Sequence, residues 1–346
     1  MRIWRQASPG YEFRFPQDHG SHPEYRIEWW YYTGNLSTED GQRFGYQLTF
    51  FRVGVDPKPE NPSRWAIRDL FMTHLAVSDL SGRRFLFRER MNRPGPGWAG
   101  AETSVYKVWN GDWVAGLNAS GKHILRAVEN GMGVELDLEA GKQPILHGEG
   151  GYSRKGSQPG NASCYYSLTR MPTAGWIWLD GKKTAVRGWS WMDHEFGTSF
   201  LEPEQRGWDW FSIQFEDGSE LMLFQLRRVD NSADLHSGGT LIDVSGQSVS
   251  LHSAEFTLRP GETWRSPHSG AVYPVEWKIQ VPRWDLAIQV QAALRDQELR
   301  AQGSSGVTYW EGAVQAWGTR AGRQVRGRGY LEMTGYTGRP MSSLFE

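Results

Sequence analysis

Apolar and polar residues alternate along much of the chain with the two-residue period of a half-buried strand. Val134, Leu136 and Leu138 alternate with Glu135, Asp137 and Glu139. Arg26, Glu28, Trp30 and Tyr32 alternate in the same way with Ile27, Trp29 and Tyr31. Asp40-Gly41, Asn110-Gly111, Asn130-Gly131, Asp180-Gly181 and Asp217-Gly218 separate such runs. These dipeptides suit type I′ hairpin turns, whose two central residues both need positive φ. Helical spacing is scarce; Ala292 to Gln302 is the best helical window, of one or two turns. The pattern predicts roughly twenty short strands and an all-β fold of sandwiches or antiparallel barrels.

The order of these runs repeats. Trp29-Trp30-Tyr31-Tyr32, then Asp40-Gly41, then the run Tyr46 to Val53 is matched by Trp208-Asp209-Trp210-Phe211, then Asp217-Gly218, then Leu223 to Val229. Arg187-Gly188-Trp189-Ser190-Trp191-Met192 likewise parallels Arg328-Gly329-Tyr330-Leu331-Glu332-Met333, at an offset of 141 (328 − 187). Each half opens on a Trp-rich strand and closes on an Arg-Gly-aromatic strand. A duplicated domain with a boundary near 197–206 follows, as units of 1–198 and 199–346. In a closed barrel the first and last strands are neighbours, so Arg187 and Arg328 are expected to stack on opening-strand tryptophans. Gln47 and Gln225 are expected at matching places in the two halves.

Composition narrows the class. Of 346 residues, 41 are Gly (about 12%, against about 7% on average), 18 Trp, 15 Phe and 13 Tyr. Lys and Arg number 38 and Asp and Glu 39, a net charge of −1, which argues against a nucleic-acid partner. High aromatic content with little net charge argues against disorder. Cys164 is the single cysteine, so an intramolecular disulfide or a CxxC site is ruled out. No apolar run reaches transmembrane length, and Met1 to Gly10 lacks the apolar core of a signal peptide.

Beyond these patterns, His22-Pro23-Glu24-Tyr25-Arg26, Glu28 to Gly34, Gly45 to Arg52, Asp193-His194-Glu195-Phe196-Gly197, Gly207 to Trp210 and Tyr330 to Tyr336 resemble the AttH-like family, related to the carotenoid hydratases (hydroxyneurosporene synthases). The resemblance covers nearly the whole chain. It implies two tandem lipocalin-like (calycin) barrels. It also implies a periplasmic or secreted protein, often called a hydrolase, with a leader that this chain lacks. The hydratase relatives add water to an isoprenoid double bond.

The densest polar cluster is Asp193-His194-Glu195, a source of a proton donor in an apolar site, where burial keeps a carboxyl protonated. Alternation puts Trp191 and Asp193 on one face and Met192 and His194 on the other. His74, inside the strand-like run Phe71 to Ser78, is a candidate proton relay or a satisfied core histidine. Glu28, with His22 and Glu24, is expected to cap a barrel mouth or tie down the N-terminal arm. Glu28, Trp29, Trp30, Tyr31, Gln47, Tyr165 and Trp191 are the candidate ligand contacts. The Trp excess suits either a pocket that stabilises a carbocation or plain barrel packing.

Hydrolase signatures are missing: Met192 replaces the last Gly of a nucleophile elbow, and His194-Glu195 lacks the second His of a zincin. No metal and no cofactor is expected. The leading reading is a binder of a hydrophobic lipid or isoprenoid, in a barrel or between the domains. The alternative is an acid-catalysed hydratase, isomerase or cyclase acting on such a molecule.

Overall fold

The structure, a computed structural model, describes residues 4–57, 61, 63, 66–199 and 201–338. It is all-β and built on two antiparallel sheets. In the first, the opening strand Ile27–Ser37 lies at the centre between Arg43–Gly54 and the closing strand Lys182–Ser199. Asp69–Asp79 and Arg84–Asn92 extend one side. Ala162–Leu179, Met132–Leu138 and His123–Glu129 extend the other. Asp69–Asp79 also approaches Met132–Leu138, which curls the sheet into a barrel.

The second sheet repeats this order. Its opening strand Gln205–Phe215 lies between Glu220–Arg228 and the closing strand Arg323–Met333. Gly238–Ile242 and Ser248–His252 follow on one side, and Val307–Arg320, Leu286–Ala292 and Glu276–Val281 on the other. The same succession in both halves is what duplication requires.

Alternation decides which residues fill each barrel. Trp30, Tyr32, Leu48 and Phe50 point into the first, and Phe211, Ile213, Leu221 and Leu223 into the second. The intervening residues, Trp29, Tyr31, Trp191, Trp208 and Trp210, point outward and meet between the barrels. Gly45 sits at this contact: a Cβ there would lie 2.8 Å from the Tyr330 hydroxyl and 2.9 Å from the Ala313 Cβ. Polar ties add to it. Glu220 of the second sheet accepts from Lys142 at 2.7 Å and from Arg170 of the first half, and Gln214 Nε2 donates to the Ser190 carbonyl at 3.0 Å.

Several expectations are corrected. Ala292 to Gln302 forms no helix; it is the end of one strand, a bend and the strand Glu298–Ala301. Among the five Asx-Gly turns, Asn130-Gly131 and Asp180-Gly181 have both φ positive. In the other three only the glycine does, so they are not type I′. The two strands joined at Asp180-Gly181 are 18 residues each, far from short. Arg187 pairs opposite Ser37 and Arg328 opposite Gln214, four or more residues from the opening-strand tryptophans, so the expected stacking does not occur. Gln47 lies opposite Thr33 and Gln225 opposite Asp209, which are not matching places in the two halves.

Candidate functional site

The outward faces of the two barrels leave a pocket between them. Its apolar wall is Trp29, Phe51, Leu201, Trp208, Trp210, Phe224 and Leu226. Its polar groups are Tyr31, Thr49, Lys155, Tyr165, Asp193, Glu195, Tyr309, Glu311 and Glu332. Space open to the centre of a water-sized sphere is about 70 Å³, room for several waters.

Asp193 lies opposite Tyr31 on the first opening strand, and Glu332 opposite Trp210 on the second. Asp193 accepts from Tyr165 Oη at 2.7 Å, from Trp191 Nε1 at 2.6 Å and from Ser167. Glu332 accepts from Trp208 Nε1 at 2.9 Å. Glu311 lies directly opposite Glu332 on the neighbouring strand and accepts from Tyr31 Oη at 2.7 Å, while its Oε2 is buried without a partner.

Burial pushes the Asp193 carboxyl up to about 7, against the lowering effect of its three donors. Burial, helped by the charges of Asp193 and Glu195, pushes Glu332 up to about 7 as well. Burial and then the neighbouring Glu332 hold Glu311 well above the usual carboxylate range. Among the described residues no Lys or Arg forms an ion pair with these three; the Lys155 ammonium pairs with Glu195 at 3.1 Å and lies 4.2 Å from the Phe224 ring centroid. The pocket therefore has an ion-paired end and an end whose carboxyls are raised toward or above neutrality under indole and phenol rings.

A pH dependence of stability follows. A carboxyl raised on folding is protonated in both states below about pH 4 and contributes nothing there. Between about pH 4 and 7 the unfolded chain ionises and the folded one does not. Stability falls by about 1.4 kcal/mol per pH unit for each such group, about 4 kcal/mol per group across these three units, then levels off. Glu332→Gln is expected to flatten this slope by one proton's worth. Urea titrations of both proteins across pH 4–8 measure it; equal slopes would refute it.

The sequence-based candidates divide between two places. Trp29, Tyr31, Tyr165, Asp193 and Glu195 line the pocket, and Trp191 reaches it through Asp193. Gln47 is buried behind Thr49, to which its Nε2 donates, and does not line it. His74 stands one residue back, its Nδ1 2.8 Å from Tyr309 Oη. Glu28, Trp30 and His194 are not pocket residues. They face the first barrel's interior, where the His194 ring stacks on Trp30 at 4.9 Å and its Nε2 lies 3.0 Å from Glu28 Oε1. The strand period separates His194 from its two neighbours.

Glu28 ties down the N-terminal arm. It accepts from Ser21 Oγ at 2.8 Å, from the His22 backbone at 3.0 Å and from Arg52 Nε at 3.1 Å, and His22 Nδ1 lies 2.9 Å away. Glu24 sits outside this group, on the surface near Arg5. His22, Glu28 and His194 are close enough to share an ion. Their chemistry fits one poorly: Arg52 holds Glu28, and against the lowering effect of burial the hydrogen bonds His22 donates to Asp18 and Glu28 raise it to about 9.

Glu311, Glu332, Lys155, Tyr309 and His147 were not singled out as site residues from sequence. The signal was present for two of them. Glu311 occupies a large-apolar position between Tyr309 and Ala313, and Glu332 one next to Tyr330, and a carboxyl on the covered face of a strand is unusual. His147 had no such signal; its Nε2 is 2.6 Å from Ser167 Oγ, which donates to Asp193.

Among the described residues no helix is long and apolar enough to cross a membrane. Similarity to known proteins is extensive in structure. The family described as AttH-like matches residues 6–336. An AttH-type protein of Nitrosomonas europaea has a crystal structure 36% identical in sequence, with a TM-score of 0.87 over 96% of this chain and 99% of that one. Kievitone hydratase from Nectria haematococca is 15% identical with a TM-score of 0.73, covering 93% of both chains. CghA is 12% identical with a TM-score of 0.54, over 92% of this chain and 90% of that one. No functionally curated protein matches the sequence.

Proposed function

The chain belongs to the AttH-like family, and from that premise we propose that it is an acid catalyst acting on an apolar, isoprenoid-like small molecule in the pocket between its barrels. The observation that carries this is Glu311: a buried carboxyl kept protonated, with an unpartnered Oε2, in a pocket walled by tryptophan. A plain binding pocket for a hydrocarbon has no use for three acids raised on folding, each of which costs stability above its unfolded-state pKa.

The chemistry is hydration or isomerisation of an alkene. The Glu311 acid adds its proton to one alkene carbon, and the C=C electron pair forms the new C–H bond. The adjacent carbon becomes cationic under the faces of Trp29, Trp208 and Trp210, whose ring quadrupoles favour a cation. Water then supplies the oxygen and returns a proton to the carboxylate, or a neighbouring C–H gives one up and the double bond moves. Tyr31 holds the acid in place, and the apolar wall keeps bulk water from the cation. Kievitone hydratase is a hydratase by name on a similar fold, which agrees with this reading.

The test is incubation of the protein with the apolar extract of its own host in D₂O. A product carrying carbon-bound deuterium is the expected result. Uptake of an apolar molecule with no isotope entering carbon would favour the binder instead.

A further inference from the structure

Asp193 and Glu311 are buried, yet they must exchange protons with solvent. We infer that Tyr309, His74, Ser304 and Glu89 form the wire along which they do so, an inference that rests on the acid reading of the pocket above. Tyr309 lines the pocket on the same strand face as Glu311, two residues on. Its hydroxyl lies 2.8 Å from His74 Nδ1. His74 Nε2 is 3.0 Å from Ser304 Oγ, and Ser304 Oγ donates at 2.5 Å to Glu89 Oε2. His74 and Glu89 are register partners on adjacent strands, while Tyr309 and Ser304 come from the second half. The wire thus exists only where the two halves meet. His74 is fully enclosed, and Ser304 and Glu89 are partly exposed to solvent.

Every atom in the chain is one that transfers protons. With the Glu89 carboxylate accepting from Ser304, Nε2–H donates to Ser304 and Tyr309 donates to Nδ1. A proton leaving a pocket acid crosses to the Tyr309 oxygen through a water, for which the cavity has room. Tyr309 passes its own to Nδ1, Nε2–H passes to Ser304, and the Ser304 proton passes to Glu89. One proton crosses, no charge stays on the wire, and the ring ends in its other tautomer. That tautomer is the one oriented to carry the next proton from Glu89 inward. The neutral imidazole this needs is what burial enforces, holding His74 down at about 3. The second buried histidine chain, His147 to Ser167 to Asp193, ends on Thr240 Oγ1 at 2.8 Å, a fully buried hydroxyl, and so positions Asp193 without reaching solvent.

The experiment follows the infrared carbonyl band of the protonated pocket carboxyls after rapid mixing into D₂O, and it needs no substrate. The band lost in Glu311→Gln or Glu332→Gln identifies those acids. His74→Phe and Ser304→Ala are expected to slow its shift to the deuterated position about tenfold or more relative to the unsubstituted protein. His74→Gln offers a donor and an acceptor but moves no proton, and is expected to be equally slow. Ser304→Ala, at the edge of the interface, decides the matter if the Phe variant does not fold. Unchanged exchange in Ser304→Ala or His74→Gln overturns the wire. Absence of any protonated-acid band at neutral pH overturns instead the reading of the pocket on which the wire rests.

Discussion

Glu311→Gln abolishes turnover and leaves the fold and the pocket intact. A glutamine side chain matches a protonated carboxyl in size and still accepts from Tyr31 Oη, the contact now made at 2.7 Å. Burial and the neighbouring Glu332 hold Glu311 well above the usual carboxylate range, which favours the neutral form that glutamine mimics, and the exchange breaks no ion pair. What it removes is the transferable proton at Oε2. General acid catalysis contributes about 10²- to 10⁴-fold, so the rate of deuterium entry into product should fall by that factor, while stability at neutral pH is kept or raised because the variant has no carboxyl to ionise on unfolding. Retained uptake of the same host molecule completes the expected result. Full activity in Glu311→Gln would transfer the acid role to Asp193 or Glu332, for which Asp193→Asn and Glu332→Gln are the corresponding variants. Full activity in all three would end the acid mechanism.

Arg52→Met is expected to be the most destabilising single change. The Arg52 guanidinium is buried and bonds Glu28 at 3.1 Å, Asp69 at 2.9 Å, and the His22 and Tyr25 carbonyls at 3.0 and 2.7 Å. Methionine fills a similar volume, so little is lost in packing. Glu28 and the two carbonyls, however, lose a partner where water does not reach. Removing one side of such a network costs about 3–5 kcal/mol. Denaturant titration should show this loss. Limited trypsin digestion should show earlier cleavage at Arg14 or Arg26 as the arm loosens, and unchanged cleavage would mean that other contacts hold the arm. Arg227, on the corresponding strand of the second half, is a milder site, with Asp209 at 2.9 Å and the Tyr336 ring 3.9 Å from its guanidinium carbon.

Much of the architecture is legible in the chain because a strand's period is local. Alternation around Trp30 and Val134, and the matching order of motifs in the two halves, each reflect side chains a few residues apart. The same period separates Asp193 from His194 before any tertiary contact is known. The site is legible only in part. Asp193, Tyr31 and Tyr165 stand out through their neighbours in sequence, whereas Glu311 becomes meaningful once Glu332 is opposite it and Tyr31 of the other half beneath it. Glu28, adjacent in sequence to Trp29, faces the barrel interior instead of the pocket, and Gln47, a candidate ligand contact, lies behind Thr49.

The sequence by itself determined the strands, the repeated order, the family and which residues share a face, since all of these rest on spacing along one chain. Contacts between distant parts of the chain were needed to show that the outward faces meet, that the pocket lies between the barrels, and that three carboxyls in it are raised above the usual carboxylate range. Ionisation depends on what surrounds a group in space, and half of what surrounds these acids comes from the other half of the chain.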